Sequence, residues 1–192
     1  MKDIELLKGI LRDKLPEKRY IHSVGVCDTA VKLAEIFNVC KYKAAVAGIL
    51  HDYAKYLSEN EARHYVAKFQ IEIDDVMDKQ IDLAHGLIGA ELVKRELDIE
   101  DMDILNAIRY HTVGRRNMTD IEKVIYVADY IEPNRKFPGV EDIRGIALED
   151  LDKATLMALN NSINHVISRG LLLHINSIFA RNSLILNNLK VK

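Results

Sequence analysis

Apolar positions along the chain recur with the spacing of an α-helix. One apolar face of a first helix consists of Ile4, Leu7, Ile10, Leu11 and Leu15. Side chains three or four residues apart lie on the same side of a helix, so this spacing predicts a helix with one buried face. The pattern continues through most of the chain, and only three prolines and nine glycines interrupt it. The sequence therefore predicts an all-α protein.

Local signals set the bounds of the other predicted helices. Pro16 suits the first turn of a second helix, and Ser58 is a suitable N-cap for a fourth. The segment EPNRKFPGV breaks the helical pattern with two prolines and a glycine. The predicted helices after the first cover residues 16–38, 42–52, from 59 onwards, 74–79, 82–97, 99–110, 120–131, 149–169 and 177–189. With no repeat and no linker between them, one compact helical bundle is expected.

Composition and charge limit the classes of molecule that the protein is expected to bind. The chain is 48% hydrophobic and 29% charged, with a net charge of −2, so neither nucleic acid nor an anionic membrane is expected to bind it. Its amino terminus lacks an unbroken apolar stretch, and no apolar run approaches the roughly 20 residues of a membrane span. Cys27 and Cys40 lie in apolar helical patterns and are expected to be reduced. A cytoplasmic protein is expected.

Aspartate residues occur where an apolar core is expected. Asp129 lies in VIYVADYIEP, with Ile125 and Tyr126 one turn before it. A second aspartate, Asp52, directly follows His51 at the end of an apolar run. Burying a carboxylate is costly unless it is paired, hydrogen-bonded or bound to a metal. For Asp129 a partner arginine or helix cap and a metal are both open at this point.

Histidines occur in equally apolar settings. A single histidine on an apolar face is usually a core residue with a satisfied hydrogen bond, and that explanation is available for each one alone. It becomes improbable for the whole set, which comprises His22, His51, Asp52, His85, His111 and Asp129. Imidazole and carboxylate without thiolate is the ligand set of Fe, Mn, Co, Ni or Zn in catalytic sites. The sequence therefore predicts a metal centre between helices.

Two basic residues follow these aspartates closely. Lys55 lies three residues after Asp52, on the same face if the helix continues for one more turn. A cation beside metal ligands is useful if a phosphate binds between them. Arg135 follows Pro133 in the break after the helix of Asp129, where its guanidinium could grip two phosphate oxygens. An exposed arginine paired with Glu132 or solvent is the alternative.

The order His22, His51-Asp52, Asp129 resembles the HD-domain superfamily of metal-dependent phosphohydrolases. The segments HDYAK, AHGLIGA, AIRYHTVG and ADYIEPNRKFPGVEDIR are similar to the YqeK family, small HD-domain enzymes that hydrolyse symmetrical dinucleoside tetraphosphates. The resemblance runs from His22 to Arg144. A weaker similarity is found in LLLHINSIFARNSL, where Ile175 stands in place of an expected proline.

The resemblance implies one HD domain over residues 1–192. Its metal-site core would cover residues 18–135, with the C-terminal helices of residues 149–190 packed on it. The implied activity is cleavage of diadenosine tetraphosphate into two ADP with a divalent metal, iron being expected and Mn, Co, Ni or Zn being alternatives. The expected partner is a small nucleotide, and a homodimer is left open. The alternatives are hydrolysis of nucleoside mono- or triphosphates, or a metal- and nucleotide-binding regulatory module without turnover.

The resemblance also assigns roles to residues. His22, His51, Asp52 and Asp129 match the metal ligands, and Asp52 and Lys55 are the catalytic candidates. His85 and His111 match residues that hold a second metal or contact phosphate, and phosphate contact is favoured because the four-ligand set is self-sufficient. The predicted substrate contacts are His22, Asp52, His85, His111, Thr112, Asp129, Arg135, His174 and Asn176.

Overall fold

The computed structural model describes residues 2–190, with side chains as far as Asn187. Within that range every regular element is helical and no strand occurs, which confirms the all-α prediction. The first six α-helices are α1 (Ile4–Lys14), α2 (Glu17–Ile36), α3 (Lys41–Leu50), α4 (Glu59–Lys68), α5 (Asp75–Lys79) and α6 (His85–Glu96). They are followed by α7 (Met102–Tyr110), α8 (Asp120–Ile131), α9 (Val140–Ala147), α10 (Leu151–Ser168) and α11 (Ile175–Lys190).

Three differences from the predicted helices concern the site or its surroundings. The helix predicted to reach Asp52 ends at Leu50, and the following residues form a turn. The helix predicted from residue 82 begins as a 3₁₀ turn, Ile81–Ala84, and α6 starts at His85. Helix α9 was not predicted at all. It begins after Gly139, whose left-handed φ of 85° ends the proline-containing break.

Two close helix approaches bring the predicted ligands together. A Cβ added at Gly48 in α3 would lie 2.9 Å from the Cα of Cys27 in α2. One added at Gly86 in α6 would lie 2.8 Å from the carbonyl oxygen of Arg109 in α7. Because glycine has no side chain, these backbones pack closer than any other residue would allow. The first approach places the end of α3 beside α2, and the second places the start of α6 beside the end of α7.

The C-terminal helices pack on this core. Helix α10 contacts α8 and α9, and α11 contacts α10. A second apolar cluster joins α8 to α10 and α11; its buried members are Met118, Tyr126, Ala158, Leu159, Ala180 and Leu184. We propose on this basis that the chain forms a single domain; of the predicted range 1–192, Met1, Val191 and Lys192 lie outside the described residues. Between residues 2 and 190, none of the helices has the length and apolar character that crossing a bilayer requires.

Candidate metal centre

Two groups of histidine rings face opposite oxygens of the Asp52 carboxylate. This side chain lies in the turn after α3 and is buried. Its Oδ2 is 3.3 Å from Nε2 of His51 and 3.7 Å from Nε2 of His22. Its Oδ1 is 3.3 Å from Nε2 of His85 and 3.7 Å from Nε2 of His111. Asp52 is therefore placed to share its two oxygens between two sets of ligands.

Asp129 completes the first group from α8. Its Oδ1 is 3.0 Å from Nε2 of His22 and 3.9 Å from Nε2 of His51, and those two ring nitrogens are 3.3 Å apart. In the second group the Nε2 atoms of His85 and His111 are 3.0 Å apart. The structure thus brings together all six of the residues that were predicted to form a metal centre.

Hydrogen bonds on the outer side of each ring set its orientation. Nδ1 of His51, His85 and His111 lies 2.8, 2.5 and 2.7 Å from the carbonyl oxygen three residues earlier. Nδ1 of His22 lies 3.1 Å from Oε1 of Glu132. An imidazole that donates from Nδ1 presents a lone pair at Nε2 whenever it is neutral, so each of the four rings can turn an acceptor towards the centre. Acceptors at such short separations repel one another unless a proton or a metal ion lies between them.

Electrostatics at the centre also favour a cation. Burial alone would raise the pKa of the Asp52 carboxyl, but the charge of His51 and hydrogen bonds from the histidine rings hold it well below its usual range. The pKa of Asp129 is likewise held low, against its burial, by the hydrogen bond from His22 and by neighbouring charges. Burial lowers the pKa of His85 to about 4. Near neutral pH both carboxylates are ionised and His85 is neutral, which is the ligand form of each group.

The donor set therefore fits a divalent metal. Nitrogen and oxygen donors meet without a thiolate, in the combination that catalytic Fe, Mn, Co, Ni and Zn sites use. The rings are held from outside by acceptors, as metal-bound histidines usually are. In two sets of residues the donor atoms all lie within 4.8 Å of one another, close enough to bind one ion. One set is His22, His51 and Asp129, and the other is His51, Asp52 and His111.

A polar cavity of about 260 Å³ opens on this centre. Three cationic side chains share its wall with the carboxylates and rings, an arrangement that suits a polyphosphate. Lys55, predicted as catalytic, has its Nζ 3.4 Å from Nδ1 of His85. The Thr112 hydroxyl lies 3.2 Å from Nε2 of both His85 and His111. The complete lining is Arg19, Asp52, Lys55, His85, His111, Thr112, Tyr126, Asp129, Tyr130, Arg135 and Ser162.

Arg135 lies in the cavity wall, in an irregular segment after α8. Its Nη2 is 2.6 Å from Oδ1 of Asp129, and its Nε donates to the Asp129 carbonyl oxygen at 2.9 Å. The alternative of an ion pair with Glu132 is not what the structure shows. Glu132 is buried, and its carboxylate accepts from the ring of His22 and from Asn134. Asp129 thus has both an arginine partner and a place among the candidate metal ligands.

His174 and Asn176 lie outside the polar cavity. His174 lines a larger neighbouring cleft of about 520 Å³, which shares Thr112 and Ser162 with the polar cavity and is lined largely by apolar side chains. Its Nε2 is 3.0 Å from Oδ2 of Asp74. Asn176 lies in a third cleft, of about 410 Å³, which His174 also borders. A substrate contact made by either residue would therefore involve a part of the ligand away from the candidate metal centre.

Two residues of the centre were missed by sequence reasoning. Nη1 of Arg19 is 2.8 Å from Oδ2 of Asp52, and Glu132 orients His22. Arg19 precedes His22 by three residues, so its position on the same face of α2 was a usable signal. Gly25 was a signal for Glu132, because a glycine inside a helix indicates that another group approaches closely. A Cβ added at Gly25 would lie 2.7 Å from the Glu132 carboxylate.

Comparison with known proteins agrees with this geometry. The HD domain family model matches residues 19–134. A symmetrical bis(5'-nucleosyl)-tetraphosphatase of Bacillus subtilis (strain 168) is 48% identical over 153 residues, which cover 80% of this chain and 82% of the relative. A protein of the same name from Halalkalibacterium halodurans is 40% identical over 177 residues, covering 92% and 94%.

A solved structure extends the comparison to three dimensions. The crystal structure of a predicted HD superfamily hydrolase involved in NAD metabolism, from Clostridium acetobutylicum, matches with a TM-score of 0.93 and 46% identity. The match covers 97% of this chain and 99% of that one. The chain therefore belongs to the HD domain family and, within it, to the YqeK family that includes these curated relatives.

Proposed function

We propose that this protein is a symmetrical bis(5'-nucleosyl)-tetraphosphatase, which hydrolyses diadenosine tetraphosphate and related dinucleoside polyphosphates to two nucleoside diphosphates. The relatives that share this name cover most of the chain. The observation that carries the proposal is the Asp52 carboxylate between two histidine groups, at the base of a cavity lined by three cationic side chains. Hydrolysis of a polyphosphate needs both a metal centre and neutralisation of phosphate charge.

The two adjoining clefts suit the two parts of a nucleotide. The polar cavity of about 260 Å³ offers charged side chains to phosphates. The neighbouring cleft of about 520 Å³ offers Leu172 and other apolar side chains, with His174 at its edge. Nucleoside sites are usually concave and mostly apolar, with a few polar groups that set orientation. The shared lining residues, Thr112 and Ser162, would then lie where the nucleoside meets its phosphates.

The position of Asp52 favours two metals over one. His85 and His111 were expected to contact phosphate, but their Nε2 atoms point at the Asp52 oxygen that the first group leaves free. We therefore propose that His22, His51, Asp52 and Asp129 hold one cation, and that His85, His111 and Asp52 hold a second. When bound, divalent cations lower the pKa of a water molecule and act as Lewis acids on phosphoryl oxygens.

The chain's own residues bind and orient the reactants. The position of Asp52 between the two histidine groups suits it to hold ligands and to orient the attacking water. The histidine contacts that, against its burial, keep its pKa low favour these roles over proton abstraction. Lys55 and Arg135 neutralise phosphate charge as it develops, and Arg19 adds a third cation on the same cavity wall. The Thr112 hydroxyl can donate a hydrogen bond to a phosphoryl oxygen. Arg19 and Arg135 are each held by an aspartate, which limits their reorganisation during the reaction.

Iron is the proposed native metal, with Mn, Co, Ni and Zn as alternatives for the same donor set. Elemental analysis of protein purified without added metal and without metal-affinity resin tests this directly. The cytoplasmic location and a homodimeric assembly stay predictions from the sequence.

The products of diadenosine tetraphosphate hydrolysis test the proposed function. We expect ADP as the sole nucleotide product, because hydrolysis of the bridge between the second and third phosphates divides a symmetrical tetraphosphate into two equal halves. Anion-exchange chromatography of the reaction measures this. An equimolar mixture of AMP and ATP would mean attack at another phosphate and would refute symmetrical cleavage. Release of inorganic phosphate from a nucleoside triphosphate would favour the first alternative activity, and metal and nucleotide binding without turnover would favour a regulatory module.

Replacing His85 with alanine distinguishes its two roles. If it holds a second metal, the metal-to-protein ratio should fall from about two to about one while activity is lost. If it only contacts phosphate, the ratio should stay constant while activity falls. His64→Ala is the matched control, because His64 is exposed on α4 and lies outside the cavity lining. An unchanged ratio in His85→Ala would remove His85 from the ligand set.

A further inference from the structure

Arg144 in α9 donates hydrogen bonds to three backbone carbonyls of one short segment. Its Nε lies 2.9 Å from the oxygen of Ile131, and its Nη2 lies 2.8 Å from that of Glu132 and 3.0 Å from that of Arg135. Its Nη1 pairs with Glu141 on the same helix. The side chain is only 25% exposed. A guanidinium has five donors in a rigid fork, so it can hold several acceptors in a fixed arrangement.

The segment that Arg144 holds carries two groups of the site. Residues 132–135 connect the end of α8 to the break before α9, and none of them lies within a regular helix. Glu132 orients the ring of His22, and Arg135 binds Asp129. Pro133 has no N–H and cannot add a backbone hydrogen bond. Within the segment the Arg135 N–H donates to the Glu132 carbonyl, and Asn134 donates to the Glu132 carboxylate. Arg144 adds three bonds from outside, so the direction of the Arg135 side chain depends on both sets of contacts.

Arg144 itself does not reach the reacting groups. It lines a separate cleft of about 300 Å³, together with Ile131, Pro133 and residues of α2, and it is not in the wall of the polar cavity. Any effect of Arg144 on chemistry must pass through the segment it binds.

We propose that Arg144 is a positioning residue that holds the Arg135 guanidinium in the polar cavity through the carbonyls of residues 131–135. The inference rests on the proposed function, in which Arg135 binds phosphate. It also gives a role to the last residue of the motif ADYIEPNRKFPGVEDIR, which the metal centre itself leaves without one. A merely stabilising arginine would affect folding but not the contribution of Arg135 to turnover.

A double-mutant cycle between Arg144 and Arg135 separates these roles. Arg144→Ala should lower kcat/KM for diadenosine tetraphosphate by about tenfold in the native background, mainly through kcat. In the Arg135→Ala background it should lower kcat/KM by no more than about twofold, because the group it positions is gone. Arg144→Lys should recover only part of the loss, since an ammonium lacks the planar fork. Arg95→Ala, at an exposed arginine paired with Glu91 on α6, is the control expected to leave kcat/KM unchanged.

Metal content and ADP affinity complete the test. Metal content should stay unchanged in Arg144→Ala. A fall in metal content would mean that Arg144 acts on the metal ligands through Glu132 and His22, and it would overturn the assignment to Arg135. Equal losses of kcat/KM in both backgrounds, or no loss in the native one, would also overturn it. If Arg144→Ala does not fold, the cycle uses Arg144→Lys. If the wild-type protein does not cleave the tetraphosphate, the proposed function fails, and the same cycle is measured on ADP affinity by calorimetry, with the same coupling expected.

Discussion

Replacing Asp52 with alanine is expected to abolish turnover and to remove bound metal from both groups. Among the described residues, Asp52 is the one whose two carboxylate oxygens each face a different pair of histidine rings. Its loss also leaves Arg19 without the carboxylate that it binds at 2.8 Å. The site would then lack one negative charge that attracts a divalent cation and would contain an unpaired guanidinium that repels it. We expect kcat to fall by more than about a thousandfold.

The comparison with asparagine makes this experiment sharper. Asp52→Asn keeps the size of the side chain but removes its charge, so it should lose metal as Asp52→Ala does. Asp103→Asn is the control, because Asp103 is an exposed aspartate paired with Lys43 at the start of α7. Metal is measured by elemental analysis and folding by circular dichroism. Native metal content with normal kcat in Asp52→Ala would refute the shared-ligand assignment.

Asp129→Ala is expected to have the second largest effect, through the first group alone. Its carboxylate lies 3.0 Å from Nε2 of His22 and 2.6 Å from Nη2 of Arg135. Without it the first group loses one of its two carboxylates. The second group, His85, His111 and Asp52, keeps all of its ligands. Turnover should therefore be lost, but the metal-to-protein ratio should fall by about one rather than to zero.

The two aspartate variants together therefore distinguish one metal from two. With two bound metals, Asp52→Ala loses both and Asp129→Ala loses one. With a single metal, both variants lose the same amount. Unchanged metal content in Asp129→Ala would exclude Asp129 as a ligand and leave it as the partner of Arg135 alone.

Helical periodicity and polar residues in apolar surroundings were enough to predict much of this protein. The 3.6-residue spacing of apolar side chains predicted an all-α chain, because it reports which face of each helix is buried. His22, Asp52 and Asp129 could be recognised as candidate ligands, because their neighbours in the sequence are apolar and burying such groups without a partner is costly. The resemblance to a known family added the substrate. Helix α9 was missed because an eight-residue helix follows directly on a break with two prolines.

The sequence by itself determined which residues could bind metal and phosphate, since that depends on side-chain chemistry and local burial. Only the tertiary structure decided how these residues are arranged. Asp52 lies between two groups of histidine rings, Arg135 binds Asp129, and Arg144 binds the segment that carries Arg135. The contact of His22 with Glu132 spans 110 positions of the chain, and that of Arg19 with Asp52 spans 33. Such contacts are set by how closely helices pack, here at Gly48 and Gly86, and helical periodicity alone does not encode that distance.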